Sequence, residues 1–193
     1  MEYLYQRSVI RVYLYGIHRT MMTKNKVLIG LIVVALVSRI APHYPNFTAM
    51  GALAFYGATR IKDLWGSLAL VVATMLISDI IINNVVFASE NFVLTYSGAI
   101  FTYAGFAAYA LLGRKATNVR NGSVLLLGGS IAFFLLSNLG VFLSAYSLFP
   151  MTWGGLMATY AAAVPFYAPE LISTALFSAM AYAAETKFST VKA

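Results

Sequence analysis

Every lysine and arginine of this chain except Arg39 falls into one of four groups, and the stretches between the groups are largely apolar. The groups are Arg7 to Lys26, Arg60 with Lys62, Arg114 with Lys115 and Arg120, and Lys187 with Lys192. Basic residues confined to alternate connections are the positive-inside pattern of a multi-pass membrane chain, with both termini in the cytoplasm. Composition agrees: 61% of 193 residues are hydrophobic, only 10% are charged, and mean hydropathy is +0.79. Soluble domains carry about a quarter charged residues. The net charge of +7 is therefore read as a topology signal, and nucleic acid is excluded as a partner. The expected location is the inner (plasma) membrane, with lipid as the surrounding partner. There is no cysteine, so disulfides and thiolate chemistry are excluded.

The expected fold class is all-α, an integral membrane six-helix bundle. Residues 1–23 form a cytoplasmic or interfacial N-terminal segment. Its interleaved Tyr, Leu and Arg suit a helix lying on the anionic leaflet, and a start at Met21 or Met22 would make it dispensable. Residues 24–186 form a single membrane domain and 187–193 a cytoplasmic tail. Leu36 or Arg39 would stand where a signal-peptide cleavage site needs a small residue, so the first apolar run is kept as a span.

Lys26 to Arg60 reads as a hairpin broken at Pro42 and Pro45. Its arms, Val27 to Ala41 and Phe47 to Thr59, make about 22 Å and about 20 Å of helix against a hydrocarbon core of about 30 Å. The bend then lies within the membrane profile, where irregular backbone must be walled by protein or by a water-filled cavity. A third span runs from Leu64 to about Asn83, a fourth from about Phe92 to Leu112, and a fifth from Val124 to about Ser147. Ser130, Ser137 and Ser144 recur along the fifth as a close-packing seam. Pro165 and Pro169 divide the remainder into a re-entrant or interfacial helix and a sixth span starting near Pro169, with Glu170 complementing that helix's dipole. Gly154, Ala158 and Ala162 give the re-entrant helix a small-residue packing face.

Measured from the inner end of each span, Arg39, Asp79 and Asn138 lie at about 20, 24 and 22 Å, which is one common level. An ionisable group inside a span costs at least about 2.5 to 3.5 kcal/mol on insertion scales, so it faces the bundle interior and takes a partner. Arg39 and Asp79 are expected to pair, either as a structural clamp or as part of a site. His43, Tyr44, Asn46, Asn83, Thr152, Trp153 and Tyr160 belong near that level and complete a candidate substrate-binding set. No G-x-S-x-G elbow, H-E-x-x-H helix or Walker A loop occurs, so no enzyme activity, metal or cofactor is expected.

The segments RIAPHYPNFTAMGALAFYGA (39–58), LISDIIINN (76–84), FLLSNLGVF (134–142) and FPMTWGGLMATYAAAVPF (149–166) resemble a family of small bacterial membrane proteins. That family is itself similar to the substrate-binding S components of energy-coupling-factor (ECF) transporters. The resemblance implies an outward-facing site for a vitamin-like small molecule, with a membrane-embedded coupling subunit and cytoplasmic ATPases as partners. The first span lacks the alanine-x-x-x-alanine docking motif common in S components. Ala54 and Ala58 on the second arm are the nearest match. Two other functions stay open on these residues: an ion-coupled secondary carrier with Asp79 as the titrating group, and a structural or assembly protein with no ligand.

Overall fold

The computed structural model describes residues 22, 24–61 and 63–190. The N-terminal segment before Lys24 (Met22 apart), His18, Lys62 and Lys192 lie outside the described residues. The fold is all-helical, with no strand among the described residues. Helix α1 covers residues 24–40; α2 is Met50–Arg60, α3 Leu64–Ile81, α4 Ala99–Gly113, α5 Val119–Leu143 and α6 Trp153–Thr190. A π-helical turn, Ile82–Val86, prolongs α3.

The shortest of these helices organises the rest. Every residue of α2 from Met50 to Ala58 is buried, and α3, α4 and α6 all pack on it. Its small residues, Gly51, Ala52, Ala54, Gly57 and Ala58, let neighbouring backbones approach closely. A Cβ on Gly51 would sit 2.1 Å from Thr174 Oγ1 of α6, and one on Gly113 of α4 would sit 2.4 Å from the Phe55 carbonyl oxygen. The remaining helices turn large apolar side chains outward, among them Ile29, Val33, Val37, Ile77, Ile131, Leu135, Ile172 and Leu176.

Two helical segments, Leu64–Val86 and Val119–Leu143, are long and apolar enough to cross a membrane. Only 33% and 22% of their most apolar windows are buried inside the protein, whereas the core helix of a soluble protein is mostly buried.

Capping and loop contacts set boundaries that differ from expectation. Helix α5 begins at Val119 instead of Val124 because Asn118 caps it, Oδ1 accepting from Asn121 N at 2.9 Å. Helix α4 begins at Ala99 instead of near Phe92. Asn84 holds Val93 out of helix by accepting from its N–H and donating to its carbonyl, both at 2.8 Å. Gly98 (φ 84) then makes the turn into α4, where a Cβ would meet the Gly140 carbonyl oxygen at 2.6 Å.

The final third overturns the expected division. No re-entrant helix precedes a separate sixth span: α6 is a single helix of 38 residues with both prolines inside it. Each proline removes one i→i−4 hydrogen bond, but the two are four residues apart and so share one side of the helix. The ladder elsewhere carries the helix through. Glu170 therefore sits in mid-helix and is buried, not at a helix start. The buried small face of this helix is Gly155, Thr159 and Ala163, one residue on from the expected Gly154, Ala158 and Ala162. Gly155 is where the chain closes most tightly, with its Cβ position 1.9 Å from the Pro150 carbonyl oxygen.

The connections gather at two ends. At one, Glu185 accepts from Arg60 Nε at 2.7 Å and from Tyr56 OH at 2.9 Å, and Lys24 Nζ lies 3.8 Å away. Arg114 reaches the Ile61 carbonyl there at 3.2 Å. At the other end the 41–49 bend, the 87–98 loop and the 144–152 connection meet, joined by Ala145 N donating to Ser97 Oγ at 3.1 Å.

Candidate functional site

The bend after α1 is built by Asn46, whose left-handed φ of 63° asparagine tolerates better than most residues. Ser38 anchors its return, accepting from Ala49 N at 3.0 Å. This arrangement delivers Arg39, His43 and Asn46 to the mouth of a cavity of about 430 Å³. Ser137 and Asn138 of α5 line it as well, together with Phe87, Phe106 and Phe133. The most deeply buried of the polar lining groups are Glu170 and Thr174 of α6.

Arg39 also borders a second cavity of about 510 Å³, together with Asp79, Asn83, Ser89, Tyr96 and Tyr146. Its Nη2 lies 2.5 Å from Asp79 Oδ1, and its Nη1 lies 2.9 Å from Met75 Sδ. Asp79 is 2% exposed and takes a further 2.7 Å hydrogen bond from Tyr103 OH. The pair is thus held from α1, α3 and α4 together. Arg39 Nε and Asn83 Nδ2 are buried without a hydrogen-bond partner among the described residues. Unsatisfied buried donors beside a cavity are groups that a bound molecule can satisfy.

Glu170 is the group that sequence reasoning placed wrongly. It is 5% exposed, and its Oε1 accepts from Tyr109 OH at 2.7 Å and from Thr174 Oγ1 at 3.1 Å. Its Oε2 accepts from Ser130 Oγ at 2.6 Å. The serines expected to form a seam on α5 therefore divide their work. Ser130 holds Glu170, Ser137 lines the cavity, and Ser144 ends the helix by bonding to the Val141 carbonyl at 2.8 Å. Close packing of α4 on α5 falls instead to glycines: a Cβ on Gly105 would meet Phe133 at 2.8 Å, and one on Gly129 would meet Tyr109 at 2.4 Å.

Of the ten residues expected in the site, Arg39, His43, Asn46 and Asn138 line the first cavity, and Asp79 and Asn83 line the second with Arg39. Tyr44, Thr152, Trp153 and Tyr160 line neither. Tyr44 is 63% and Trp153 81% exposed. Thr152 caps α6, its Oγ1 accepting from Gly155 N at 3.1 Å. Tyr160 donates to the Leu135 carbonyl at 2.8 Å and stands against Phe134. The unbroken α6 instead turns Thr159, Ala162, Ala163 and Phe166 toward Pro45 and Asn46 of the bend, around a separate cavity. Glu170, Tyr96 and Thr174, which line the cavities, and Tyr103, which bonds to Asp79, stand outside the expected substrate-binding set. A lone acid in an apolar run was the available signal for Glu170.

Asn138 donates from Nδ2 to the Phe134 carbonyl at 2.8 Å, and its Oδ1 accepts from no described residue. The cavity is thus lined by a guanidinium, amide groups, a carboxyl group and three phenyl side chains. Among the described residues no group of three or more His, Cys, Asp or Glu could hold a metal ion.

No curated protein and no solved structure matches the chain. A family model does match, over residues 19–191, and by that match the chain belongs to a family of unknown function, DUF6580.

Proposed function

We propose that this chain is a multi-pass membrane protein that captures a small polar or vitamin-like molecule from the outer side, as the substrate-binding component of an uptake system. The observation that carries the reading is the first cavity, which Arg39, His43, Asn46 and Asn138 from α1, the bend and α5 line together with Glu170 of α6. Chemistry of this kind, a few convergent polar groups set among aromatic faces, is what small-molecule sites use. Outward-facing apolar side chains on α1, α3, α5 and α6 support a lipid environment. In this reading the end holding Arg60, Lys24 and Glu185 faces the cytoplasm, and the cavity opens at the other end.

The six helices and the cavity's place at the broken hairpin suit an S component of an ECF-type transporter, served by a coupling subunit and ATPases. Asp79 and Glu170, two carboxylates at neighbouring cavities, favour a second reading as an ion-coupled carrier that works alone. Native mass spectrometry of the chain extracted with its lipids tests capture directly. A retained small molecule that is lost from the Asn138→Leu variant supports it. A bare chain, together with Asp79→Asn and Asn138→Leu variants that fold and leave growth untouched, favours a structural or assembly protein. Copurified ATPases favour the S-component reading, and proton-driven uptake by the purified chain alone favours the carrier.

A further inference from the structure

Three hydrogen bonds hold Glu170, and all three come from neutral hydroxyls: Tyr109, Ser130 and Thr174. The ion pairs among the described residues are Arg39–Asp79, Arg60–Glu185 and Lys24–Glu185, and none of them reaches Glu170. Arg39, which lines the same cavity, is already committed to Asp79 at 2.5 Å. His43 stands exposed at the mouth, with Nδ1 2.7 Å from the Ala41 carbonyl oxygen. With Arg39, Asp79 and Glu170 ionised, the cavity region carries one unbalanced negative charge, and it lies on the buried wall. A buried carboxylate held only by neutral donors still lacks a counter-charge.

We infer that the occupant of this cavity is a small organic cation whose ammonium group seats against Glu170. The inference rests on the capture reading above and names the ligand's chemical class. Two further observations point the same way. Phe106 and Phe133, with ring centroids 4.5 Å apart, line the same cavity, and aromatic faces attract a desolvated cation. A bare metal ion is a poor occupant, because among the described residues no group of three or more His, Cys, Asp or Glu could hold one. The Asn46 amide and the Arg39 guanidinium, which line the same cavity, remain for a neutral acceptor group elsewhere on a ligand, and Asn138 Oδ1, which accepts from no described residue, remains for a donor such as the ammonium.

The test uses the full chain in lipid nanodiscs and three probes of similar size: phenethylammonium, phenethyl alcohol and phenylacetate. Binding is followed by titration and by thermal stabilisation. The expected ranking places phenethylammonium about tenfold or more tighter than the other two, a difference of about 1.4 kcal/mol. Glu170→Gln is expected to reduce that preference to within about threefold, well under the 1.4 kcal/mol that a tenfold preference represents. If the alcohol or the carboxylate binds as tightly as the ammonium, the inference is overturned: Glu170 then holds a proton, and capture itself survives. If none of the three binds, the capture reading fails and takes the inference with it. The ranking is measured on the unaltered chain, so it decides the matter even where Glu170→Gln does not fold.

Discussion

Arg39 Nη2 stands 2.5 Å from Asp79 Oδ1, tying the end of α1 to the end of α3 at a point where two cavities adjoin. Tyr103 of α4 donates to the other carboxylate oxygen at 2.7 Å, so the pair is locked by a third helix. Removing one member of a buried pair leaves the other charge without compensation, at a cost of about 3–5 kcal/mol. We expect Arg39→Met and Asp79→Leu each to lower stability by that order, and the double replacement Arg39→Met with Asp79→Leu to cost less than the sum. Thermal unfolding in nanodiscs measures the cycle, and strictly additive losses would show that the two residues do not act as a unit.

Gly113 and Gly30 make a matched pair. At Gly113 a Cβ would lie 2.4 Å from the Phe55 carbonyl oxygen, whereas at Gly30 nothing lies within 4 Å. Backbone cannot rotate aside as a side chain can, so Gly113→Ala is expected to destabilise by about 1–3 kcal/mol. Gly30→Ala is expected to be neutral or to stabilise by up to about 1 kcal/mol through helix propensity. Equal effects from the two would mean that α2 and α4 are further apart than described.

At the opposite end of the bundle Arg60 does several things at once. Its Nε and Nη2 reach Glu185 Oε2 at 2.7 and 2.5 Å, and its guanidinium lies 4.8 and 5.2 Å from the ring centroids of Tyr56 and Tyr182. Lysine can supply the charge but neither the planar fork nor the stacking. Arg60→Lys should therefore cost about 1.5–3 kcal/mol, the worth of hydrogen bonds to a charged group. A wild-type melting temperature for this variant would reduce the cluster to a loose surface contact.

Binding and stability separate cleanly at α6 and α5. Trp153 and Thr152 lie away from the cavities, so Trp153→Ala should leave phenethylammonium binding unchanged. Thr152→Ala should cost about 1 kcal/mol of stability through the lost helix cap, again without altering binding. Asn138→Leu, on the cavity wall, should weaken binding about tenfold, equivalent to about 1.4 kcal/mol. Comparable losses of binding from Trp153→Ala and Asn138→Leu would relocate the site toward the start of α6.

Much of this architecture can be read from single residues whose cost in an apolar setting leaves few choices. Arg39 and Asp79 had to find one another, because each is expensive alone among apolar helices. Pro42 and Pro45 had to break the first apolar run, and Asn46 takes the left-handed turn there. Where such a residue was less decisive, the reading slipped. A fifth span starting at Val124 leaves out the cap that Asn118 supplies, and a fourth starting near Phe92 puts Gly98 inside the helix although it turns the chain. Two prolines were read as a boundary, yet α6 runs through both of them.

The amino-acid sequence by itself determined an apolar, helical chain with basic residues in alternate connections and an arginine and aspartate destined to pair, because burial penalties act on each residue wherever its neighbours come from. Only the tertiary structure decided that α2 is the buried centre, that Glu170 faces the cavity held by Tyr109 and Ser130, and that Trp153 and Tyr44 stand outside it. Those outcomes depend on which faces of separate helices meet. Thr174 lies one turn from Glu170 on the same helix, but its other two partners, Tyr109 and Ser130, come from positions 61 and 40 residues away, a relation set by packing among α4, α5 and α6 and written in no local spacing.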